Sequence, residues 1–205
     1  MAFDRDSDRL SPLGEQQSRA LGEYWKRHGI RFDEIYTGTL RRHAQTYEVA
    51  ASVTPLPAPS ADPGFNEYDA PAILAAAGAD MAAFTGPDRN KRFQGVFEGV
   101  LAKWLAGELA GCEPWEAFRG RVTGAMRQAM SAPGSRRIAV FTSGGPIGVA
   151  VQSVLRAPEQ VAIEINWRVR NTSLTGFLFS GSRVSLDGFN AAPHLADSRE
   201  LESYR

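Results

Sequence analysis

The pattern that most constrains the fold is a short apolar strand that runs into a helix, and it occurs twice. Residues 137–142 read Arg-Ile-Ala-Val-Phe-Thr and predict a buried strand, and a Ser-Gly-Gly-Pro turn leads from it into a helix predicted over 146–155. Residues 30–36 predict a second strand, which a helix follows from about residue 40 to 52. Because such alternation buries a sheet between helices, we predict an α/β sheet domain.

Elsewhere the chain predicts further helices and one hairpin. Ser11 before Pro12 is a strong helix start and predicts a helix over 12–28. The other predicted elements are a loop with one short extended piece at 51–64, a helix at 71–84 and an antiparallel hairpin with strands at 174–179 and 183–188.

Two more helices carry large apolar side chains at steps of three and four, one from about residue 90 and one from about residue 115. We expect these side chains in the core and not in a binding pocket. They are Phe93, Val96, Phe97, Val100, Leu101, Trp104 and Leu105 in the first helix, and Trp115, Phe118, Val122, Met126 and Met130 in the second.

Composition bounds the partners and the compartment. The 205 residues include 23 basic and 23 acidic side chains, and this balance argues against a nucleic-acid partner. No apolar run approaches the ~20 residues of a membrane span, and no signal peptide is visible, so we expect no membrane partner. The single cysteine, Cys112, is expected to be an inert loop residue in a reducing cytoplasm. We expect a single domain over residues 1–205 with no metal site and no cofactor.

Two motifs carry a family resemblance. The segment Leu-Ser-Pro-Leu-Gly at 10–14 and the pattern Thr-Leu-x-Arg-x-x-x-Thr at 39–46 resemble the histidine phosphatase superfamily, also called phosphoglycerate mutase-like. The resemblance extends over about residues 10–195. It implies a three-layer α/β/α sandwich with a mostly parallel central sheet, and hydrolysis of phosphate monoesters through a phosphohistidine.

Arg42 is the first candidate site residue. It lies early in the helix after the strand 30–36, and ligands of open α/β sheets bind beyond the carboxyl ends of the strands. Its planar guanidinium is suited to phosphate oxygens. The resemblance assigns Arg42 a phosphate-clamping role and leaves its neighbour Arg41 outside the pattern.

Glu67 is the candidate proton donor. It stands between Asn66 and Tyr68, and a carboxyl group beside aromatic residues can be partly desolvated, which raises its pKa toward the range of a general acid. In the family that the chain resembles, an Asn-Glu pair of this kind carries the proton donor. Asp69 is the alternative.

Ser143, Gly144 and Gly145 are predicted to line the phosphate site. They join a buried strand to a helix N-terminus, where backbone N–H groups and the helix dipole favour an anion. The family usually has His-Gly-Gly here, so Ser143 replaces a cationic ligand by a neutral donor. Asn171, at the entry to the last strands, is expected to border the pocket, and His194 in the tail is expected to be structural.

The family nucleophile, a histidine in Arg-His-Gly at the end of the first strand, has no counterpart at the start of this chain. Residues 27–29 do read Arg-His-Gly, but Lys26, Arg27 and His28 suit the end of a helix and Gly29 suits its cap. We therefore expect a chain that lacks the first strand and is inactive. Unpaired neighbouring strands would then lead to poor solubility or to a homodimer.

The sequence-based interpretation is a phosphatase of small-molecule phosphate esters, truncated in this form. The alternative is a non-catalytic pseudoenzyme that binds a phosphorylated ligand or a protein partner. An in-frame apolar strand ending in Arg-His-Gly upstream of Met1 would favour the enzyme, and a stop codon there would favour the pseudoenzyme. A phosphoglycerate mutase is a weaker third possibility, because the chain is short for one and Ser143 weakens retention of a phosphoenzyme.

Overall fold

The computed structural model describes residues 8–79 and 89–204. Its helices and strands follow one another as α1 (Pro12–Arg27), β1 (Glu34–Thr37), α2 (Arg41–Ala51), β2 (Pro59–Ala61), α3 (Ala70–Ala76), α4 (Arg89–Leu105), α5 (Trp115–Ala129), β3 (Ile138–Phe141), α6 (Gly144–Leu155), α7 (Gln160–Asn166), β4 (Leu174–Ser180) and β5 (Arg183–Ala191). By their contacts the described residues form two compact units, one of residues 8–67 and 121–204 and one of residues 68–120.

The first unit is organised by a parallel sheet of three strands in the order β2-β1-β3. Ile35 of β1 is opposite Pro59 of β2 and Ala139 of β3. Because the strands are parallel, the loops that follow β1 and β3 leave the same edge of the sheet, and the Gly38 N–H donates to the carbonyl of Phe141 at 3.0 Å. The predicted α/β fold with a parallel sheet is confirmed, as is the antiparallel hairpin of β4 and β5.

Helices α1 and α2 cover this sheet with an apolar cluster of Leu21, Trp25, Ile35, Ala50 and Phe141. The Trp25 ring meets Phe141 edge-on, with 6.0 Å between the ring centroids. Such an arrangement is the favoured geometry of aromatic pairs. Burial of these side chains fixes the position of both helices against the strands that lead to the loops of the sheet edge.

The second unit has an aromatic core in which Trp104, Trp115 and Phe118 are fully buried. The Trp104 indole N–H donates to the carbonyl of Glu113 at 2.6 Å, so its polar atom is satisfied. The prediction that the apolar stripe of α4 is buried is correct for Trp104 but wrong for Val96, which is 43% exposed. Helix α3 ends at Ala76, and the later part of the helix predicted over 71–84 lies outside the described residues.

Helix α1 ends as the sequence predicts. Lys26 and Arg27 occupy its last turn, His28 is the exposed C-cap, and Gly29 has a left-handed φ of 61°. The Arg-His-Gly at 27–29 is therefore a helix end. Every helix of residues 8–79 and 89–204 is too short or too polar to cross a lipid bilayer.

Several element boundaries differ from the prediction, among them the starts of two elements that lead to the sheet edge. Strand β1 begins at Glu34 and not at residue 30, because residues 30–33 are taken up by the return from the end of α1, where the Ile30 N–H bonds back to Trp25. Helix α6 begins at Gly144 and not at Pro146, with Ser143 in an extended conformation as its N-cap. The sequence did not predict α7.

Candidate functional site

Arg42 and Ser143 meet at the edge of the sheet. Arg42 lies in the first turn of α2, after β1, and Ser143 follows β3. Because the two strands are parallel neighbours, their following loops converge, and the Arg42 guanidinium donates from Nη2 to Ser143 Oγ at 3.2 Å. The structure thus brings together two residues that the sequence predicts for the site, although they are 101 positions apart.

The carboxylate of Asp8 is the second partner of this arginine. Its Oδ1 lies 2.7 Å from Arg42 Nη1, and its Oδ2 accepts the backbone N–H of Arg41 at 2.7 Å. The Asp8 side chain is 35% exposed and that of Arg42 is 22% exposed, so the pair borders solvent. The Asp8 carboxylate therefore contacts both the guanidinium of Arg42 and the first turn of α2. The start of a helix favours negative charge.

A buried histidine, which the sequence analysis did not single out, completes this cluster. His43 is 3% exposed, and its Nε2 lies 2.7 Å from Ser143 Oγ. The signal that pointed to it was weak, namely a histidine directly after the candidate Arg42. Consecutive residues of a helix point in different directions, so the position of His43 beside Arg42 did not predict a place in the site. Only the tertiary contact with Ser143 shows it.

The loop of Asn66 and Glu67 forms the other side of the cluster. Asn66 accepts the Thr39 N–H at 2.6 Å and donates to the Thr39 hydroxyl at 2.7 Å, which ties this loop to the entry of α2. Glu67 Oε2 accepts the N–H of Gly145 at 3.2 Å. The predicted proton donor and the predicted phosphate-lining turn are therefore in direct contact.

Arg121 holds the backbone of that loop from α5. Its guanidinium donates to the carbonyls of Pro63, Gly64, Asn66 and Glu67, with the shortest bond, 2.7 Å, to Asn66. The planar guanidinium thereby satisfies backbone carbonyl groups of an irregular loop, which has few strand hydrogen bonds of its own. Arg121 is a support of Glu67 that sequence reasoning missed, because a single arginine in an amphipathic helix is usually a solvated residue.

The N-terminus of α6 provides the polar floor. Gly144 and Gly145 are buried, and Ser143 is the N-cap without a side-chain bond to its own helix, so its hydroxyl is turned to Arg42 and His43. Gly144 has no space for a side chain, since a Cβ there would overlap Asn166 Oδ1. Backbone N–H groups at such a helix start attract anions.

The remaining candidates lie in other contacts. Asn171 donates to Ser203 Oγ at 2.8 Å, and its own N–H bonds to the Ser203 carbonyl, so the described hydrogen bonds tie it to the C-terminal segment. Its place at the border of the pocket stays a prediction. Asp69 is the N-cap of α3, where it accepts the Ala72 N–H at 3.0 Å. Within residues 8–79 and 89–204, no three His, Cys, Asp or Glu side chains are grouped to hold a metal ion.

Comparison with known proteins gives the class. The model of the histidine phosphatase superfamily (branch 1) matches residues 3–192, and the chain belongs to this family. The resemblance stated from the motifs at 10–14 and 39–46 is thus confirmed. A comparison with curated protein sequences finds no significant match.

Solved structures agree on the fold. The chain is similar to the alpha-ribazole phosphatase of Shigella flexneri, with 16% identity, a TM-score of 0.64, and coverage of 90% of this chain and 85% of that one. It is similar to a phosphoserine phosphatase of Entamoeba histolytica, with 17% identity, a TM-score of 0.64, and coverage of 91% and 86%. A mycobacterial glucosyl-3-phosphoglycerate phosphatase gives 19% identity, a TM-score of 0.62, and coverage of 90% and 88%.

Proposed function

We propose that the cluster of Arg42, Ser143 and the N-terminus of α6 binds a phosphate monoester, and that the reaction of this domain is hydrolysis of that ester. The observation that carries the proposal is the contact between the Arg42 guanidinium and the Ser143 hydroxyl at a helix start. A guanidinium fork, a hydroxyl and backbone N–H groups are together the donors that a phosphate dianion requires.

Each residue then has a distinct role. Arg42 and Ser143 hold phosphoryl oxygens, and the Gly145 N–H, which now bonds to Glu67, donates to a third oxygen when the ligand enters. Glu67 gives a proton to the ester oxygen as it leaves. The phosphoryl group passes to a histidine nucleophile, and water then cleaves the phosphohistidine, as the family mechanism implies.

The reaction requires a nucleophilic histidine, and this requirement limits the chemistry expected of this chain. The sequence has Arg-His-Gly only at 27–29, where it ends α1. We therefore infer that the 205 residues bind the ester without turning it over. Asp8 forms an ion pair with Arg42, and its carboxylate would compete with the ester for the guanidinium.

The ligand class follows from the site and from the relatives. The structural neighbours are named for phosphatases of small phosphorylated metabolites, which supports a small-molecule phosphate ester. The formal charge of zero supports neither nucleic acid nor an anionic membrane as a partner. A homodimer and a cytoplasmic location complete the proposal.

A non-catalytic module that only recognises phosphorylated ligands is the second candidate, and the same experiment separates the two. Inorganic phosphate binding is measured by titration calorimetry and p-nitrophenyl phosphate hydrolysis by absorbance. Arg42→Met is the test variant, and Arg41→Met, at an exposed position beside it, is the matched control. Both assays compare this chain with the same chain extended in frame upstream of Met1. Hydrolysis by the longer chain that Arg42→Met abolishes supports the enzyme, and phosphate binding without hydrolysis in both chains supports the module. If phosphate binds equally to both variants, the site is wrong.

A further inference from the structure

The His43 imidazole lies behind Ser143, and no role in the proposed reaction accounts for it so far. Its Nε2 is 2.7 Å from Ser143 Oγ, and both side chains are buried, at 3% and 8% exposure. The same oxygen lies 3.2 Å from Arg42 Nη2. Ser143 Oγ is therefore shared by two nitrogen groups, one of which, the guanidinium, can only donate.

A count of donors decides which way the His43 bond runs when phosphate is present. A serine hydroxyl has one proton and two lone pairs. The oxygens of a phosphate dianion have no proton, so Ser143 must donate to them. Its two lone pairs are then left for Arg42 and His43, and His43 Nε2 must carry a proton and donate.

The backbone around His43 holds the imidazole in this place. Gly38, just after β1, lies so close that a Cβ there would overlap His43 Nδ1. The Gly38 N–H is itself fixed to the Phe141 carbonyl at 3.0 Å. The ring therefore lies between the loop after β1 and the loop after β3, in a slot that depends on a glycine.

We propose that His43 is a positioning residue of the phosphate site, whose Nε2–H holds Ser143 Oγ so that the serine proton is presented to a phosphoryl oxygen. This role rests on the proposed function. The imidazole donates to Ser143, and Ser143 donates to the ligand. In such a buried chain of hydrogen bonds, the first bond strengthens Ser143 as a donor.

The first test is a double-mutant cycle in which calorimetry measures the affinity of each variant for inorganic phosphate. His43→Leu removes the donor, and we expect phosphate to bind about tenfold more weakly, the effect of one lost hydrogen bond to a charged system. Ser143→Ala should weaken binding by a similar factor. The double variant should bind no more weakly than Ser143→Ala alone, because His43 acts through Ser143. His43→Gln restores an N–H donor and should recover most of the affinity.

Exposed His28 provides the matched control, and His28→Leu should bind phosphate as the wild type does. The proposal is overturned if His43→Leu also binds like the wild type, or if the losses of His43→Leu and Ser143→Ala multiply. If the wild-type chain binds no phosphate at all, both the proposed function and the role of His43 are contradicted.

A second measurement does not depend on the stability of any variant at residue 43. The sequence has three histidines, and nitrogen-15 spectra of the phosphate-bound wild type, assigned with His28 and His194 variants, report which ring nitrogen of His43 carries the proton. We expect a protonated Nε2. A ring protonated on Nδ1 alone would mean that Ser143 donates to His43, and it would overturn the proposal.

Discussion

Gly38 touches both sides of the site, since a Cβ on it would overlap His43 Nδ1 and would stand 2.7 Å from Asn66 Oδ1. Its backbone conformation does not require glycine, because its φ is outside the left-handed region. The requirement is one of space. A single missing side chain allows the buried imidazole of α2 and the loop of Glu67 to approach the same point.

Replacement of this glycine by alanine tests that closeness. Gly38→Ala should destabilise the fold by about 1–3 kcal/mol, the usual cost of an extra methyl group in a packed site, and should weaken phosphate binding as His43 is displaced. Thermal melts and phosphate titration measure both effects. Gly124→Ala in α5, where a Cβ meets nothing within 4 Å, is the control and should stabilise by about 0.5–1 kcal/mol. Equal behaviour of the two variants would show that the slot adapts.

Asp8 is expected to compete with phosphate for Arg42. Its carboxylate lies 2.7 Å from the guanidinium, at the border with solvent. Asp8→Asn removes the negative charge, so inorganic phosphate should bind about two- to fivefold more tightly, the range of an exposed ion pair. Titration at low ionic strength measures the gain.

The matched control for Asp8 is Asp197→Asn, which removes the same charge at an exposed position. Added salt should reduce the advantage of Asp8→Asn, because the ion pair that it removes is screened. If the two variants bind phosphate alike, the gain comes from net charge and not from release of Arg42.

Local patterns were sufficient for most of the fold. The alternating strand 183–188 and its partner pair as predicted, and α1 ends at His28 and Gly29, because turn and cap preferences act over a few residues. The start of α6 was predicted two residues late, since Pro146 is a common first helical residue. The space at its first residue is taken by another element, because a Cβ on Gly144 would overlap Asn166 Oδ1.

The site itself was predictable only in part. Arg42, Ser143 and Glu67 have side chains whose chemistry suggests phosphate, and the structure places them in one cluster. His43 was missed because its role exists only after β1 and β3 pair and bring its helix to the loop of Ser143. Asp8 was missed because its contact with Arg42 joins positions 34 residues apart. No local spacing rule reports a contact across about a hundred residues of chain.

The support of the Glu67 loop by Arg121 gives a further prediction. Arg121→Lys keeps the charge but loses the planar fork that bonds four carbonyl oxygens, so the variant should lose about 1–3 kcal/mol of stability. Amide hydrogen exchange of residues 64–67 should also become faster. Exposed Arg127 in the same helix is the control, and Arg127→Lys should change neither quantity. Unchanged exchange in Arg121→Lys would mean that other contacts hold the loop.

His194 is a second histidine, half-buried, and its surroundings favour the neutral ring. Burial, and then repulsion from Arg170, lower its pKa to about 4. The Thr172 hydroxyl, which gives its proton to the Asn171 carbonyl at 2.7 Å, lies 2.9 Å from His194 Nε2, so the imidazole donates and the hydroxyl accepts. The sequence-based expectation of a structural role agrees with this placement.

The consequence of this neutral ring is a stability that falls in acid. Between pH 6.5 and about 4 the unfolded chain binds a proton at residue 194 that the folded chain refuses, so stability decreases as the pH is lowered through this window. Allowing for screening of a partly exposed group, the loss is about 2 kcal/mol. Thermal melts from pH 7 to 4 should show a smaller decline for His194→Gln than for the wild type. Exposed His28→Gln should follow the wild type, and parallel curves for all three proteins would contradict the assignment.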